Sequence, residues 1–581
     1  MSIFKINKVN IFLLLLLLVV FSIFQYGICK ICGFALYPDE FGYWASAANA
    51  VGYNWSEVAS MGSYYSFGYS LILIPILKLF GGKVAAYRAA VTVNMLLMCA
   101  SVFLLQKIVR KLFPDVNDVK SVWLSGIAVL YPSWIFYMQM TMAEALLFFM
   151  FVLVTYLLLG YIDNPKAITA ALLAVCLVYI YCVHMRTVGV VIACMCTCFL
   201  WGMVKAGKKE YIKSILVLII VLAVAVWVSK ELKSRTISEV FSYAEAKTLA
   251  GNDYGSQWNK LGEILSPSGI SRFLEGVLGK IFYLGLASFG IFYWAFGWCV
   301  KESIGLAVGV VKKQKTALRQ WGALFLLLST VGEILISGIF MYKSSHVDTL
   351  IYGRYDELLV PVMMLAGIVV MEKNRFLIPV TLLLGVLSGG MALKLLDVAE
   401  AEGLKGLRGY HIAGISYLIN EDNLNIYHFF RDTWLLCFGL MILVSILLWL
   451  SRHLKAGMWI LTGILIIEIK AGLQISEHYT YQMNNANFEN QRIAEVIREN
   501  DRGDGTIVYL DEGRPAYIGF LQMQLPEKTI HVIGEESIED VESFGTFVIT
   551  HIETGQNDKL QKMYDKRIEA NTFYLYFNQD T

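Results

Sequence analysis

The sequence predicts a polytopic α-helical membrane protein with about 13 transmembrane helices, followed by a small C-terminal α/β domain. Three observations predict this fold class: the composition, a succession of long apolar runs, and a change of composition near residue 474. Hydrophobic residues make up 57% of the 581 residues and charged residues only 16%, which is too apolar for a soluble globular protein. Runs such as Ile11–Phe24 and Trp434–Leu450 approach the length that a helix needs to cross a bilayer.

The apolar runs divide the chain into a transmembrane bundle, residues 1–473, and a C-terminal domain, residues 474–581. In the second part the long apolar runs stop, and acidic side chains outnumber basic ones. Because the number of predicted spans is odd, we expect the two termini on opposite sides of the membrane. The predicted spans are 10–29, 86–106, 121–138, 142–162, 167–183, 187–204, 214–229, 276–298, 320–342, 355–371, 376–393, 433–450 and 456–473.

Lys and Arg residues in the short loops predict the orientation, because such loops favour the cytoplasmic side. With a cytoplasmic N-terminus, the basic loops all fall on that side and the C-terminal domain is extracytoplasmic. The long loops 30–85, 230–275 and 394–432 then lie on the external side. The sequence has no retention signal for the endoplasmic reticulum, so we expect a multi-pass protein of a bacterial plasma membrane. The basic loop residues are Lys107, Arg110, Lys111, Lys120, Lys205, Lys208, Lys209, Lys213, Lys312, Lys313, Lys315, Arg319, Lys373, Arg375, Arg452 and Lys455.

The C-terminal domain has the pattern of a small α/β unit. Asn490–Asn500 and Asp558–Ala570 have helical spacing, whereas Thr506–Leu510 and Thr546–Thr550 are short β-branched runs typical of strands. No nucleotide-binding loop is present in this region. We therefore interpret the domain as a packing or lid module on the external face.

Two adjacent acidic residues, Asp39 and Glu40, follow the first predicted span directly. A helix that begins here and continues to Ala50 could lie in the membrane interface, where an acidic first turn would stabilise the helix dipole. The alternative interpretation is catalytic, since a carboxylate partly shielded by Tyr and Trp side chains can accept the proton of a hydroxyl group. The residues alone leave both interpretations open.

Further polar residues fall on the same predicted side of the membrane. A lone charged side chain at the end of a span is most often an interfacial anchor. The concentration of several such residues on one side favours a functional surface there. These residues are Tyr64, Tyr65, Arg88, Glu144, His184, Arg186, Arg354 and Tyr355.

The order of these residues resembles the GT-C glycosyltransferase superfamily, in particular the group of protein O-mannosyltransferases and lipid A aminoarabinose transferases. The resemblance covers about residues 1–400. Its elements are the acid pair after the first span, the Gly68-Tyr69 and Leu79-Phe80-Gly81 segment, Arg88 entering the second span, Glu144 opening the fourth span, Arg186 after the fifth, and Arg354-Tyr355 before the helix that contains Pro361.

The resemblance implies a glycosyltransferase that moves a sugar, with inversion, from a polyprenyl-phosphate-linked donor to a lipid, glycan or protein acceptor outside the cytoplasm. It implies that Asp39 is the catalytic base and that Glu40 supports it or helps to bind a divalent metal ion. It assigns the donor phosphate to Arg354, with Tyr355 and Arg186. Neither a soluble nucleotide nor a nucleic acid is involved, and a divalent metal ion at the acid pair is the one cofactor that it allows. The substrate-pocket residues that it implies are Tyr64, Tyr65, Arg88, Glu144 and His184.

The sequence also departs from the family pattern. Ser63–Phe67 replaces a Pro-rich segment, and Thr187 stands where Pro is frequent. Asp356 and Glu357 add negative charge after Arg354-Tyr355, where they would pair with Arg354 or bind a cation. Two alternative functions remain: a transporter or flippase of a lipid-linked glycan, and a polymerase or ligase of surface glycans with its key residues in the 230–275 loop.

Overall fold

The chain is described by a computed structural model that covers residues 8–35, 39–205, 209–244, 260–343, 345–419, 425–453, 457–503, 505–513, 518–534 and 546–578. Residues 245–259 of the predicted external loop 230–275 therefore lie outside the described residues. So do residues 36–38, which directly precede Asp39.

The first part of the chain is a bundle of helices. Short 3₁₀ turns at Met185–Thr187, Glu357–Leu359 and Gly409–Ile412 connect some of them. The helices are Lys8–Ile28, Asp39–Val51, Ser56–Ser60, Ser70–Phe80, Lys83–Leu112, Asp118–Val129, Pro132–Tyr137, Ala143–Asp163, Ala167–Val183, Val188–Lys205, Lys209–Val240, Pro267–Ala287, Ile291–Val311, Leu318–Phe340, Val347–Leu350, Val360–Lys373, Leu377–Ala401, Ala413–Ser416, Ile426–His453 and Gly457–Ser476.

Within the described residues, nine helices are long and apolar enough to cross a membrane. All but Ile291–Val311 coincide with spans predicted from the sequence. The total of about 13 spans and the orientation of the bundle stay predictions. The nine are Lys8–Ile28, Lys83–Leu112, Ala143–Asp163, Met185–Val204, Tyr211–Val240, Ile291–Val311, Leu318–Phe340, Leu377–Ala401 and Ile426–Arg452.

Two predicted spans are wrong as single helices. The span predicted at 276–298 contains a helix break, because Phe289 and Gly290 adopt positive φ angles of 52° and 76°, a conformation that ends an α-helix. The span predicted at 121–138 is interrupted before Pro132, whose missing N–H and ring disfavour a continuous helix. Both regions are helical, as predicted, but apolar content could not place these backbone breaks.

The charged side chains divide between the two ends of the bundle. One end carries the basic loops, which pair with local acids, as in Lys111 with Asp163 at 2.8 Å and Lys373 with Asp115 at 2.9 Å. The opposite end carries the C-terminal domain and the helix Asp39–Val51. We call this the domain-bearing end.

The C-terminal domain is a five-stranded sheet with helices Gln491–Asn500, Ile518–Gln524 and Asn557–Met563. The strand order is β2-β1-β3-β5-β4, with β1 parallel to β2 and β3, and β5 antiparallel to β3 and β4. The helix predicted at Asp558–Ala570 is wrong beyond Met563, where the chain forms an edge strand. The strands are β1 Ile507–Asp511, β2 Ile530–Gly534, β3 Phe547–His551, β4 Lys566–Glu569 and β5 Phe573–Phe577.

Polar contacts next to buried aromatic rings attach the C-terminal domain to the bundle. The Trp55 indole donates to the carbonyl of Pro526 at 2.9 Å. The Glu57 carboxylate contacts the His531 ring and accepts from the Val532 amide, each at 2.8 Å. The Asn484 amide oxygen accepts from two backbone amides just after the first helix. These contacts hold the sheet against the segment that follows Asp39.

Replacing Glu57 tests this docking. We expect Glu57→Ala to weaken the attachment of β2 by about 1 kcal/mol, because the partly buried Val532 amide loses its acceptor. Hydrogen exchange in β2 should rise while membrane insertion is unchanged. Glu569→Ala, on an exposed position of β4, is the matched control. Equal exchange in both variants would contradict a docking role for Glu57.

Candidate active site

Four charged residues from distant parts of the chain meet at the domain-bearing end. Asp39 begins the helix Asp39–Val51, and Glu144 lies in the first turn of Ala143–Asp163. Arg186 lies in the 3₁₀ turn between two apolar helices, and Arg354 lies in the turn before Glu357–Leu359. Each residue therefore stands where a helix begins, so its side chain reaches the end of the bundle rather than the lipid.

The Glu144 carboxylate is the centre of this cluster. Its Oε1 accepts from Arg354 Nε at 2.7 Å and from Arg186 Nη2 at 3.3 Å. Arg354 Nη2 then donates to Asp39 Oδ2 at 2.5 Å. Exposure rises outwards, from 2% for the Glu144 side chain and 7% for Arg354 to 23% for Asp39. Asp39 is thus the member that solvent and a substrate can reach.

The cluster contains two carboxylates and two guanidinium groups, so its formal charge balances. Burial alone would lower the pKa of Arg354, but the carboxylates of Glu144 and Asp39 raise that pKa well above its ordinary value. Within the described residues, Glu144 Oε2 and the Nε and Nη1 atoms of Arg186 are buried without a hydrogen-bond partner. Such atoms require a water molecule or a ligand, so the cluster has unused capacity for polar groups.

Aromatic side chains enclose the arginines. Arg186 lies over the Tyr355 ring at 4.4 Å, a cation–π contact. The His184 ring lies 5.7 Å from the same tyrosine. Tyr65 donates its hydroxyl to Asp39 Oδ1 at 2.8 Å. The structure therefore brings Tyr65, His184 and Tyr355, three of the residues selected from the sequence, to the cluster, and both Asp39 oxygens are engaged.

Glu40 occupies a different place from its neighbour Asp39. It is fully buried, and its Oε1 accepts from the Ala35 amide at 2.7 Å. Its Oε2 accepts from Tyr87 at 2.5 Å and from the amide and hydroxyl of Thr141 at 2.8 and 2.7 Å. Thr141 lies three residues before Glu144. Glu40 therefore fixes the start of the Asp39 helix against the segment that carries Glu144.

The predicted metal site at the acid pair does not fit this geometry. The Glu40 oxygens face donors on three other segments, and Asp39 faces Arg354 and Tyr65. The two carboxylates thus do not converge on one point. Within the described ranges, no group of three or more His, Cys, Asp or Glu side chains is arranged to hold a metal ion.

Two predicted pocket residues lie away from the cluster. Arg88 donates to the carbonyls of Ile31 and Cys29, at 2.9 and 3.1 Å, and so binds the end of the first helix. Tyr64 lines a separate apolar groove of about 400 Å³ between the helices Ala167–Val183, Val188–Lys205 and Lys209–Val240. The groove also contacts Met185, next to Arg186, and has Lys230 and Lys233 in its lining.

The acids that follow Arg354-Tyr355 do not pair with Arg354, contrary to one expectation from the sequence. Glu357 Oε1 instead accepts from Ser133 at 2.9 Å, from the Gly414 amide at 3.2 Å and from the Tyr283 hydroxyl. Glu357 therefore holds the turn that carries Arg354 against these three residues. Asp356 is buried near Lys280.

Sequence reasoning missed Asp348 and His411. Their side chains meet at 2.6 Å across 63 residues, and His411 accepts from the Arg354 amide. The only available signal was the position of His411 in the predicted external loop 394–432.

Replacing Glu144 tests the electrostatic centre of the cluster. We expect Glu144→Gln to destabilise the protein by about 3–5 kcal/mol, since two buried guanidinium groups lose their shared counter-charge. Asp163→Asn, which affects a partly exposed pair with Lys111, should change stability by less than about 1 kcal/mol. Thermal unfolding in detergent measures both, and equal effects would contradict the central place of Glu144.

Comparisons with known proteins give no match to a family model and no match to a curated protein. Solved structures do match. ArnT from Cupriavidus metallidurans, bound to undecaprenyl phosphate, superposes with a TM-score of 0.53 at 11% identity, over 97% of each chain, and so does its apo state. The archaeal oligosaccharyltransferase AglB from Archaeoglobus fulgidus aligns at 11% identity with a TM-score of 0.42, over 96% of this chain and 71% of that one. The chain therefore shares the fold of ArnT over nearly its whole length.

Proposed function

We propose that this chain is a membrane glycosyltransferase that transfers a sugar from a polyprenyl-phosphate-linked donor to a lipid, glycan or protein acceptor on the external face of the membrane. The observation that carries the proposal is the convergence of Asp39, Glu144, Arg186 and Arg354 at one end of the bundle. The fold supports it, since ArnT in the same fold binds undecaprenyl phosphate.

Arg354 is the proposed ligand of the donor phosphate. A guanidinium group presents two parallel N–H donors that match phosphate oxygens, and its charge stabilises the phosphate as it leaves. Arg186, held beneath by Glu144 and Tyr355, adds a second positive charge. Because Arg354 Nη2 already binds Asp39, an arriving phosphate competes with that carboxylate. Donor binding thus frees one oxygen of Asp39.

The freed Asp39 is the proposed general base. The nucleophilic atom of the acceptor attacks C1 of the sugar and forms the new glycosidic bond, while the bond from C1 to the phosphate oxygen breaks. The electron pair leaves with the polyprenyl phosphate, and the proton of the acceptor passes to Asp39. Attack opposite the phosphate inverts the configuration at C1. Tyr65 keeps the second Asp39 oxygen in place throughout.

The apolar groove beside the cluster supports a lipid-linked substrate. It is lined mainly by apolar side chains of three membrane helices, it contacts Met185 next to Arg186, and Lys230 and Lys233 lie in its wall. An isoprenoid chain fits an apolar groove between helices, and ammonium groups attract an anionic head group. The groove therefore offers a place for a lipid substrate close to the charged cluster.

Replacing Asp39 tests its proposed role as the general base. We expect Asp39→Asn to reduce sugar transfer by at least about 100-fold, the range of general-base catalysis, because the amide cannot take the proton. Release of labelled sugar from undecaprenyl-phosphate-linked sugars by the purified protein measures this. Asp115→Asn, an exposed residue at the opposite end, is the control. Normal turnover by folded Asp39→Asn would show that Asp39 is not the general base. If the wild-type protein turned over no donor, the proposed glycosyltransferase activity would be refuted.

Replacing Arg354 tests the phosphate site. Lysine keeps a positive charge near Glu144 but cannot bind two partners through a planar fork. We expect Arg354→Lys to raise the donor KM by about tenfold or more, equivalent to the loss of about 1.4 kcal/mol of binding energy, with little change in the acceptor KM. Arg88→Lys, outside the cluster, should leave the donor KM unchanged. A selective rise of the acceptor KM in Arg354→Lys would contradict the assignment.

A further inference from the structure

A second polar pair lies directly beside Arg354. Asp348, in the short helix Val347–Leu350, is fully buried, and its Oδ2 lies 2.6 Å from Nδ1 of His411. Its Oδ1 accepts from the Arg408 amide at 3.0 Å. The His411 side chain is 12% exposed. A buried carboxylate therefore holds one nitrogen of an imidazole ring that solvent partly reaches.

His411 is joined to the arginine turn through its backbone. Its carbonyl oxygen accepts from the amides of Gly353 and Arg354, at 3.2 and 3.0 Å. Its side chain is also within the electrostatic reach of the cluster, because Arg354 lowers and Asp39 raises its pKa. The imidazole thus belongs to the surroundings of the proposed phosphate ligand.

The contact with Asp348 determines which nitrogen carries the proton. A carboxylate oxygen accepts, so in neutral His411 the hydrogen lies on Nδ1 and Nε2 has a free lone pair. Burial lowers the pKa of His411, and the Asp348 carboxylate offsets this only in part. The lowered pKa favours the neutral ring. Within the described part of the chain, Nε2 makes no hydrogen bond.

Two aromatic rings contact the imidazole. The Tyr352 and Tyr410 rings lie 4.7 and 4.4 Å from it, centre to centre. Tyr352 also contacts Tyr355 at 4.7 Å, the ring beneath Arg186. Apolar ring surfaces combined with a few placed polar atoms are typical of small-molecule sites.

We infer that Nε2 of His411 accepts a hydrogen bond from one hydroxyl group of the donor sugar and so helps to determine which sugar is transferred. A nitrogen lone pair repels a phosphate oxygen but accepts from an O–H group, so it does not serve as a phosphate ligand. The sugar is bonded to the phosphate, so a phosphate on Arg354 places the sugar hydroxyls within reach of the adjoining imidazole. Asp348 is the positioning residue, since it fixes the ring and its tautomer.

This inference rests on the proposed function. It is tested with undecaprenyl-phosphate-linked hexoses and pentoses: the donor that wild type uses best, and its monodeoxy analogues. We expect one deoxy donor to lose about tenfold in kcat/KM with wild type, the size of one hydrogen bond that is no longer made to a desolvated group. The other deoxy donors should lose less.

Two conservative variants distinguish a hydrogen bond from His411 to the sugar from a purely structural role of this residue. In His411→Asn the amide nitrogen takes the place of Nδ1 and keeps the bond to Asp348, but no atom replaces Nε2. We expect a loss of about tenfold in kcat/KM with the parent donor and no further loss with the matching deoxy donor. In His411→Gln the amide oxygen takes the place of Nε2, so partial discrimination should return. His428→Asn, at an exposed position, is the control and should behave as wild type.

The outcomes distinguish the two proposals. If wild type turns over no donor, the proposed function itself fails. If wild type is active and His411→Asn loses the same factor with every donor, or loses nothing, the sugar contact is refuted. If His411→Asn instead raises the acceptor KM by the same factor with every donor, His411 contacts the acceptor, and the inference is also overturned. Thermal unfolding confirms that each variant is folded.

Discussion

The geometry of the site depends on one buried carboxylate shared by two arginines. Glu144 holds Arg354 and Arg186, and Arg354 in turn holds Asp39. Lipid provides little hydrophobic drive for association between membrane helices, so packing and polar contacts set their relative positions. Removing the carboxylate would leave Arg354 with Asp39 alone and Arg186 without a charged partner among the described residues, and breaking a buried ion pair in this way is strongly destabilising. Three separate segments are therefore fixed by a single side chain.

A second layer of carboxylates holds these segments from behind. Glu40 accepts from Ala35, Tyr87 and Thr141, and Glu357 accepts from Ser133, Tyr283 and Gly414. Each of these acids neighbours a site residue in the sequence but points away from the site. In a helical turn, adjacent side chains differ in direction by about 100°. A pair of acids such as Asp39-Glu40 can thus supply one group for chemistry and one for support.

The fold class and the four residues of the charged cluster could be recognised from the sequence. Apolar runs and loop charges located the long helices, and the positions of Asp39, Glu144, Arg186 and Arg354 at the starts of helices predicted a common surface. The break at Phe289-Gly290 was not predictable, because hydropathy does not report a backbone that turns within an apolar run. Arg88 was assigned to the pocket by its place in the chain, whereas its direction depends on carbonyls of the first helix. His411 was missed because its partner Asp348 is distant in sequence.

In the proposed mechanism, the charged cluster binds the phosphate of a lipid-linked donor, and this binding releases Asp39 from Arg354. A cryo-EM structure of the protein in nanodiscs with undecaprenyl phosphate would reveal both events. We expect phosphate oxygens within hydrogen-bond distance of the Arg354 guanidinium, and an Asp39 carboxylate that has lost its contact with that arginine. A phosphate bound elsewhere, with the pair between Asp39 and Arg354 intact, would contradict it.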